Sequence, residues 1–221
     1  MSTQFSRIGA LASLGCAGSF IFGFVVLLTQ LMPYIELKEN PAFAVQFVLE
    51  NHTLLSLWNF VIYILFAVFL TVLVVALYQK LLPLNRVISQ LAAVFGIVWI
   101  TLVYGSGMVT SLGLTRVVEI AASHPSMAPS LWLAVITIAE GLGGSNELVG
   151  GLWVTLVSIV MWQARVYARV LSIIGLIAGT AGILSAAPAL SDVGAVFGLS
   201  LIVWFIYLGV EMVRHSATKD D

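Results

Sequence analysis

Long apolar runs and short polar stretches alternate along the whole chain of 221 residues. A helix needs about 20 mostly apolar residues to cross a hydrocarbon layer about 30 Å thick, and six runs approach or exceed that length. This pattern predicts an all-α fold, a polytopic membrane protein built as one six-transmembrane-helix bundle over residues 1–221. The first run continues unbroken to Met32, which predicts a spanning helix rather than a cleaved signal peptide. The predicted spans are residues 8–32, 53–78, 87–112, 146–162, 170–187 and 194–213.

Two longer connecting segments, residues 33–52 and 113–145, differ from the short loops elsewhere in the chain. In the first, Pro41 precedes an apolar stretch that predicts a short helix over Phe43–Leu49. In the second, the apolar run 131–139 is too short to cross a membrane. It lies in the interface, enters the membrane and returns, packs on the Phe43–Leu49 helix, or belongs to a long fourth helix. We expect the two segments to form a short outer helical cap.

Basic residues concentrate in the short loops on one side of the predicted bundle. Because short loops rich in Lys and Arg stay on the cytoplasmic side, this pattern predicts that both termini are cytoplasmic. Lys38 and Arg116 fall on the opposite side, and Arg116 is spaced three residues from Glu119 as a helical ion pair. The seven basic residues on the cytoplasmic side are Arg7, Lys80, Arg86, Arg165, Arg169, Arg214 and Lys219.

Composition supports a lipid environment and narrows the classes of function. Hydrophobic residues make up 61% of the chain and charged residues 9%, against about 25% charged residues in an ordinary soluble domain. The net charge of −1 argues against nucleic acid as a partner, because such partners require a basic face. The chain has one cysteine, Cys16, which leaves no intrachain disulfide and no cysteine zinc site.

The stretch "AEGLGGSNELVGGLW", residues 139–153, places Glu140 and Glu147 among five glycines in this apolar chain. In one straight helix the two carboxylates would lie nearly in line and face other helices, which is typical of ion or substrate pathways. Alternatively the stretch is a break followed by a helix start, with Ser145 as N-cap and Glu147 favoured by the helix dipole. A third interpretation is a half-helix whose N-terminus points at a bound ligand.

Polar side chains within the spans are biased to the half nearer the predicted cap. Asn59 is the most informative, because an amide in lipid needs a partner and Glu147 lies at a similar predicted depth. We therefore predict a small, outward-opening polar pocket beneath the cap. The same residues also suit simple hydrogen bonds between helices. The candidate ligand-binding residues are Glu147, Asn59, Tyr104, Asn146 and Glu140.

No catalytic residue, metal ligand or cofactor is predicted. Ser106 in "VYGSGM" has Tyr104 where a serine protease motif requires its first glycine. His52, His124 and His215 lie in loops or at the ends of spans, where they form neither a buried base nor facing haem ligands. We therefore expect a protein that is not an enzyme, and a membrane-embedded enzyme is the least favoured class.

The run "ELVGGLWVTLVSIVMWQARVYARVLSIIGLIAGTAGIL", in the last third of the chain, resembles a group of uncharacterised bacterial integral membrane proteins. That group has a Gly-Gly-x-Trp span, a short basic loop and a glycine-rich span. The resemblance implies a bacterial inner membrane, about six helices and no particular activity. The matching residues are Gly150, Gly151, Trp153, Arg165, Arg169, Gly175, Gly179 and Gly182.

Two hypotheses of function follow from the sequence. The first is an integral membrane protein that binds a small or lipid-like ligand in the polar pocket, as a transporter or a sensor. The second is an accessory or structural subunit of a larger membrane complex, or a homodimer, that uses glycine faces such as Gly175/Gly179 and Gly194/Gly198 as contacts. The lipid bilayer is the expected surrounding in both hypotheses.

Overall fold

The computed structural model describes residues 3–37, 40–143, 146–190 and 192–217, and these described residues form helices and short turns with no strand. The predicted all-α class is confirmed. Short 3-10 turns at Pro125–Met127 and Pro188–Leu190 precede the sixth and the ninth helix. The helices are α1 (Thr3–Val26), α2 (Met32–Leu37), α3 (Pro41–Asn59), α4 (Phe66–Leu81), α5 (Arg86–Ser123), α6 (Ala128–Gly143), α7 (Asn146–Ala164), α8 (Arg169–Leu184) and α9 (Val193–Ala217).

Five helical stretches within the described residues are long and apolar enough to cross a membrane. The sixth apolar helix, α8, has 16 residues and is about 24 Å long, which is shorter than a hydrocarbon layer of about 30 Å. The bundle therefore combines five spanning stretches with one shorter helix. The five stretches are Phe5–Tyr34, Pro41–Leu81, Arg86–Ser123, Pro125–Ala164, in which residues 144 and 145 are not described, and Val193–His215.

Helices α1 and α9 lie side by side and run in opposite directions. The Ser6 hydroxyl donates a hydrogen bond to the Met212 carbonyl at 3.1 Å, and the Ser13 hydroxyl donates to the Phe205 carbonyl at 2.7 Å. The first turns of α1 and the last turns of α9 therefore lie at the same end of the bundle, which we call the proximal end. The opposite end is the distal end.

A cluster of ionisable side chains joins three elements at the proximal end. The Lys80 ammonium lies 4.4 Å from the centre of the Tyr167 ring, and the His215 ring packs edge-on against Tyr167 at 5.0 Å. Glu211 is buried and accepts a hydrogen bond from the Ala168 backbone N–H at 3.4 Å. The Arg214 guanidinium forms an ion pair with Glu211 at 3.6 Å. These contacts fasten the α7–α8 loop to α4 and α9.

Helices α3 and α4 are joined without a loop but are not one regular helix. Asn40 caps α3 by accepting a hydrogen bond from the Phe43 N–H at 3.3 Å. At Asn51 the backbone leaves helical geometry, with φ −118° and ψ 20°, and the side chain bonds back to the Phe47 carbonyl at 3.1 Å. Such a bond competes with the helical ladder and bends the helix. The segment before this kink contains the predicted Phe43–Leu49 helix.

The distal layer consists of α2, the part of α3 before Leu55, the part of α5 after Leu114, and α6. A second apolar core holds the distal layer together, with Val48, Val117 and Trp132 at its centre. The 131–139 run lies in α6, which packs on α3 and α5. The sequence left several arrangements open for the 131–139 run. In the structure this run packs on the part of α3 that precedes the kink.

Helix α5 continues well past residue 112, to Ser123, and so carries the fold from the bundle into the distal layer. Gly113 does not interrupt it, because the Val135 side chain of α6 packs directly on that glycine. The predicted Arg116–Glu119 ion pair is present on this extension, with an N–O distance of 2.7 Å.

Helices α7 and α8 meet backbone to backbone through glycine. A Cβ added at Gly151 would lie 2.6 Å from the Gly179 carbonyl oxygen, and one added at Gly179 would lie 2.7 Å from the Gly151 carbonyl oxygen. On α9, Gly198 packs against the Phe24 ring of α1. The small-residue faces at Gly175/Gly179 and Gly194/Gly198 are therefore occupied, at Gly179 and Gly198, by helices of the same chain.

Candidate functional site

Asn59 is the last residue of α3 and lies inside the bundle, only 1% exposed. Its amide nitrogen donates to the Gly107 carbonyl at 3.0 Å and to the Ser111 hydroxyl at 2.8 Å, both on α5. The amide oxygen Oδ1 is also buried, and it has no hydrogen-bond partner among the described residues. Asn59 thus holds α3 to α5 with one half of its amide and leaves the other half unsatisfied.

Glu147 lies in the first turn of α7. Its backbone carbonyl packs against α8, where a Cβ added at Gly182 would lie 2.5 Å from it. The side-chain oxygen Oε2 is buried and has no hydrogen-bond partner among the described residues. A carboxylate in the first turn is favoured by the helix dipole. The dipole explains why an acid is tolerated at this position, but it leaves Oε2 without a partner.

The Glu147 chamber is a cavity of about 230 Å³ between α1, the α3–α4 junction, α5 and α7. Glu147 is the one charged side chain in its described lining. Most of the remaining wall is aromatic or aliphatic. The lining residues are Ser19, Phe20, Gly23, Phe24, Leu27, Trp58, Ile62, Tyr63, Phe66, Trp99, Val103 and Glu147.

The Glu140 chamber is a neighbouring cavity of about 160 Å³ that extends into the distal layer. Asn59 and Glu140 are among its lining residues, together with the Trp132 side chain, whose indole N–H donates to the Tyr34 hydroxyl at 3.1 Å. The lining residues are Tyr34, Leu55, Trp58, Asn59, Tyr63, Thr110, Leu114, Trp132, Val135, Ile136, Ala139 and Glu140.

Trp58 and Tyr63 form the wall that the two chambers share. The Trp58 indole N–H donates to the Gly23 carbonyl of α1 at 3.1 Å, which fixes the ring across the α1–α3 contact. Tyr63 lies beside the Ser106 side chain and within electrostatic range of both Glu140 and Glu147. The Tyr63 side chain is therefore close enough to interact electrostatically with both the Glu140 and the Glu147 carboxylate.

The shared wall lies at a π-helical segment, Phe60–Leu65, that joins α3 to α4. A π turn bonds residue i to i+5 and so shifts the following side chains around the helix axis; such turns are frequent at functional sites. A second π-helical segment, Leu27–Leu31, joins α1 to α2, and its first residue lines the Glu147 chamber. Both chambers are therefore bordered by interrupted helices.

The predicted site residues are partly brought together. Glu147 lines one chamber, and Asn59 and Glu140 line the other. Tyr104 is half-buried against the main core and is not among the described residues that line either chamber. Asn146 begins α7, but its side chain lies outside the described part of the structure, as does the predicted N-cap Ser145.

Several chamber residues were not predicted from the sequence. The Trp58 and Trp132 indoles both donate hydrogen bonds inside the fold, to the Gly23 carbonyl and to the Tyr34 hydroxyl. A signal for Tyr63 was present, since it follows Asn59 by four residues and therefore lies near the same helix face.

The described linings of the two chambers group neither metal-ligating side chains nor basic ones. Within the described residues there is no group of three or more His, Cys, Asp or Glu side chains that could hold a metal. The described linings of both chambers contain no Lys, Arg or His. A larger groove of about 460 Å³ on the outer side of α4 and α5 is lined mainly by aliphatic side chains such as Val75 and Val94, which is typical of lipid contact.

The apolar helices define an integral membrane protein with a helical bundle. The family model described as Domain of unknown function (DUF4386) matches residues 8–210, and the chain therefore belongs to this family of uncharacterised proteins. The predicted membership of an uncharacterised family is confirmed, and the match covers residues 8–210 rather than the last third alone. No curated protein and no solved structure matches the chain.

Proposed function

We propose that this protein is a non-enzymatic integral membrane protein that binds a small or lipid-like ligand in the Glu147 and Glu140 chambers, as a transporter or a sensor. The observation that carries the proposal is the pair of unsatisfied oxygens, Glu147 Oε2 and Asn59 Oδ1, at two adjoining cavities. A buried polar atom without a partner costs about 1–3 kcal/mol. A ligand with polar groups would offset that cost.

The form of the chambers supports a small amphipathic ligand. Their volumes of about 230 and 160 Å³ are each below the 300–1,000 Å³ of common ligand pockets, and the two share a wall. An apolar lining with few polar groups is the usual composition of such sites. A compact ligand would occupy one chamber, and a longer one would pass the Trp58–Tyr63 wall.

The proposal includes an orientation. Arg7, Lys80, Arg165 and Arg214 belong to the proximal end, together with the first turns of α1 and the last turns of α9. Short basic loops favour the cytoplasmic side. We therefore place the proximal end in the cytoplasm and the protein in a bacterial inner membrane. The chambers would then be reached from the opposite surface or from the lipid beside α1.

The accessory-subunit alternative has less support than it had from the sequence. It relied on glycine faces as contacts for a partner, and the structure has Gly179 and Gly198 packed against α7 and α1 of the same chain. A partner or a second copy would have to bind another surface.

Native mass spectrometry of the protein, purified in mild detergent from its own membrane, tests the proposal. We expect a small adduct that persists in the wild type and is lost in Glu147→Gln, because the substitution removes the charge and keeps the shape. Glu50→Gln is the matched control: Glu50 is exposed on α3 and only accepts a bond from the Gln46 side chain. A stoichiometric protein partner without any adduct would instead establish the subunit alternative.

A further inference from the structure

We infer that the ligand of the Glu147 chamber is an organic cation, an ammonium group with small apolar substituents. This inference rests on the proposed function and specifies its ligand class. It is carried by the charge of the chamber, by its aromatic wall and by the rigidity of that wall.

The charge of the chamber selects the sign of the ligand. Glu147 is the single charged side chain among the described lining residues, and the neighbouring chamber adds a second acid, Glu140. With no basic side chain among the described lining residues, an anionic head group would meet the Glu147 carboxylate and no described side chain of opposite charge. A cation meets an opposite charge at short range in a medium where charges are weakly screened.

The wall of the chamber suits a cation more than a neutral apolar group. Half of the twelve lining residues are aromatic, and two of them are tryptophans, the strongest partners in cation–π contacts. Cages of aromatic rings are a recurring solution for binding ammonium groups that carry methyl substituents. The aromatic lining residues are Phe20, Phe24, Trp58, Tyr63, Phe66 and Trp99.

The rings are held in place before any ligand arrives. Phe66 packs edge-on against Phe20 with ring centres 5.0 Å apart, and against Trp99 at 5.7 Å. Trp58 is fixed by its hydrogen bond to the Gly23 carbonyl. A wall already in its binding arrangement lowers the entropic cost of association.

Two other ligand classes fit less well. A metal ion needs several oxygen, nitrogen or sulfur ligands, and no cluster of such side chains exists in the described part of the chain. A purely apolar ligand would offer no hydrogen bond to Glu147 Oε2, which has no partner among the described residues. An organic cation satisfies the carboxylate and the rings together.

Isothermal titration calorimetry with three small probes of matched shape tests the inference on the purified full chain in an uncharged detergent. The probes are choline, tert-butylethanol, in which carbon replaces the nitrogen, and the anion of tert-butylacetic acid. We expect choline to bind at least about ten-fold more tightly than the neutral probe, because only the cation gains cation–π contacts and the attraction of the Glu147 carboxylate. The anion should not bind.

Variants separate the contributions to binding. Glu147→Gln should lower the affinity for choline by at least about ten-fold and leave that for tert-butylethanol unchanged, whereas Glu50→Gln should change neither. Trp58→Leu should weaken choline binding, and Trp58→Phe should restore part of it because a ring returns. Elution volume and helical circular dichroism show that each variant is folded.

The outcomes distinguish a failure of the cation inference from a failure of the proposed ligand-binding function. Equal affinity for choline and tert-butylethanol, or tighter binding of the anion, would overturn the cation inference while leaving a ligand chamber in place. If none of the three probes binds to the folded wild type, the inference is also wrong. The proposed function is tested separately, by whether the adduct seen in native mass spectrometry depends on Glu147.

Discussion

At the scale of single residues, Asn59 combines two roles that the sequence left as alternatives. Its amide nitrogen joins α3 to α5, and its amide oxygen remains unsatisfied beside the Glu140 chamber. Hydrogen bonds between helices in membranes contribute about 0.6 to 2 kcal/mol each. The structural role alone therefore predicts a measurable effect on stability.

We expect Asn59→Leu to lower the free energy of unfolding by about 1–2 kcal/mol, because the bonds to Gly107 and Ser111 are lost. Reversible unfolding in mixed detergent micelles measures this change in the free energy of unfolding. Thr71→Val is the control, since Thr71 bonds only to the Ala67 carbonyl of its own helix. A loss no larger than that of the control would contradict the role of Asn59 between helices.

Tyr167 in the α7–α8 loop predicts a pH dependence. Burial raises the pKa of its phenol above the usual value of 10, and the nearby Glu211 carboxylate raises this pKa further. A raised pKa in the folded state means that the unfolded chain loses the proton first. The contribution of Tyr167 to stability is therefore complete below pH 10 and decreases as the pH rises above it.

The Tyr167→Phe variant isolates this effect. The Tyr167 hydroxyl has no hydrogen-bond partner among the described residues, so its removal should change stability little at pH 7. Above pH 10 the variant should retain more of its thermal midpoint than the wild type. Midpoints recorded from pH 7 to about pH 11 provide the comparison, and parallel losses in both proteins would show that Tyr167 does not titrate as argued.

At the scale of elements, glycine determines how closely α7 approaches α8. We expect Gly151→Ala to destabilise the fold by about 1–3 kcal/mol, because the new methyl would lie 2.6 Å from the Gly179 carbonyl oxygen, a backbone atom that cannot turn aside. Gly141→Ala is the matched control, since Gly141 lies on the exposed side of α6 and nothing lies within 4 Å of the added Cβ. It should be neutral or slightly stabilising.

The same unfolding assay in mixed micelles compares the two alanine variants. A Gly151→Ala protein as stable as Gly141→Ala would mean that α7 and α8 separate at no cost. That result would contradict the close backbone contact between α7 and α8. It would also contradict the packing of Glu147 against α8.

At the scale of the whole molecule, the sequence predicted the helices better than the chambers. The length of an apolar run can be read directly from the sequence, and these lengths were enough to predict an all-α bundle. Side chains that face lipid and side chains that face the core are both apolar, so the pattern could not distinguish them. Trp58 was not predicted as a chamber residue for that reason, whereas Glu147 and Asn59 were noticed because polar groups are rare in the predicted spans.

The extent of α5 was also not readable from the sequence. The predicted span ended at residue 112, whereas α5 continues to Ser123 and contains Gly107 and Gly113. The helix continues because the Tyr63 and Val135 side chains occupy the space that these two glycines leave. Packing from other elements thus overrode local preference, which is the usual limit of such predictions.

The length of α5 also has a mechanical consequence. Its 38 residues form a rod of about 57 Å that belongs to both the bundle and the distal layer. The distal layer cannot move away from the bundle as a separate lid unless α5 bends or unwinds. We therefore expect any opening of the chambers to occur at Leu27–Leu31 and Phe60–Leu65, where the helical ladder is already interrupted. Such an opening would change the winding within a helix and would leave the distal layer in place.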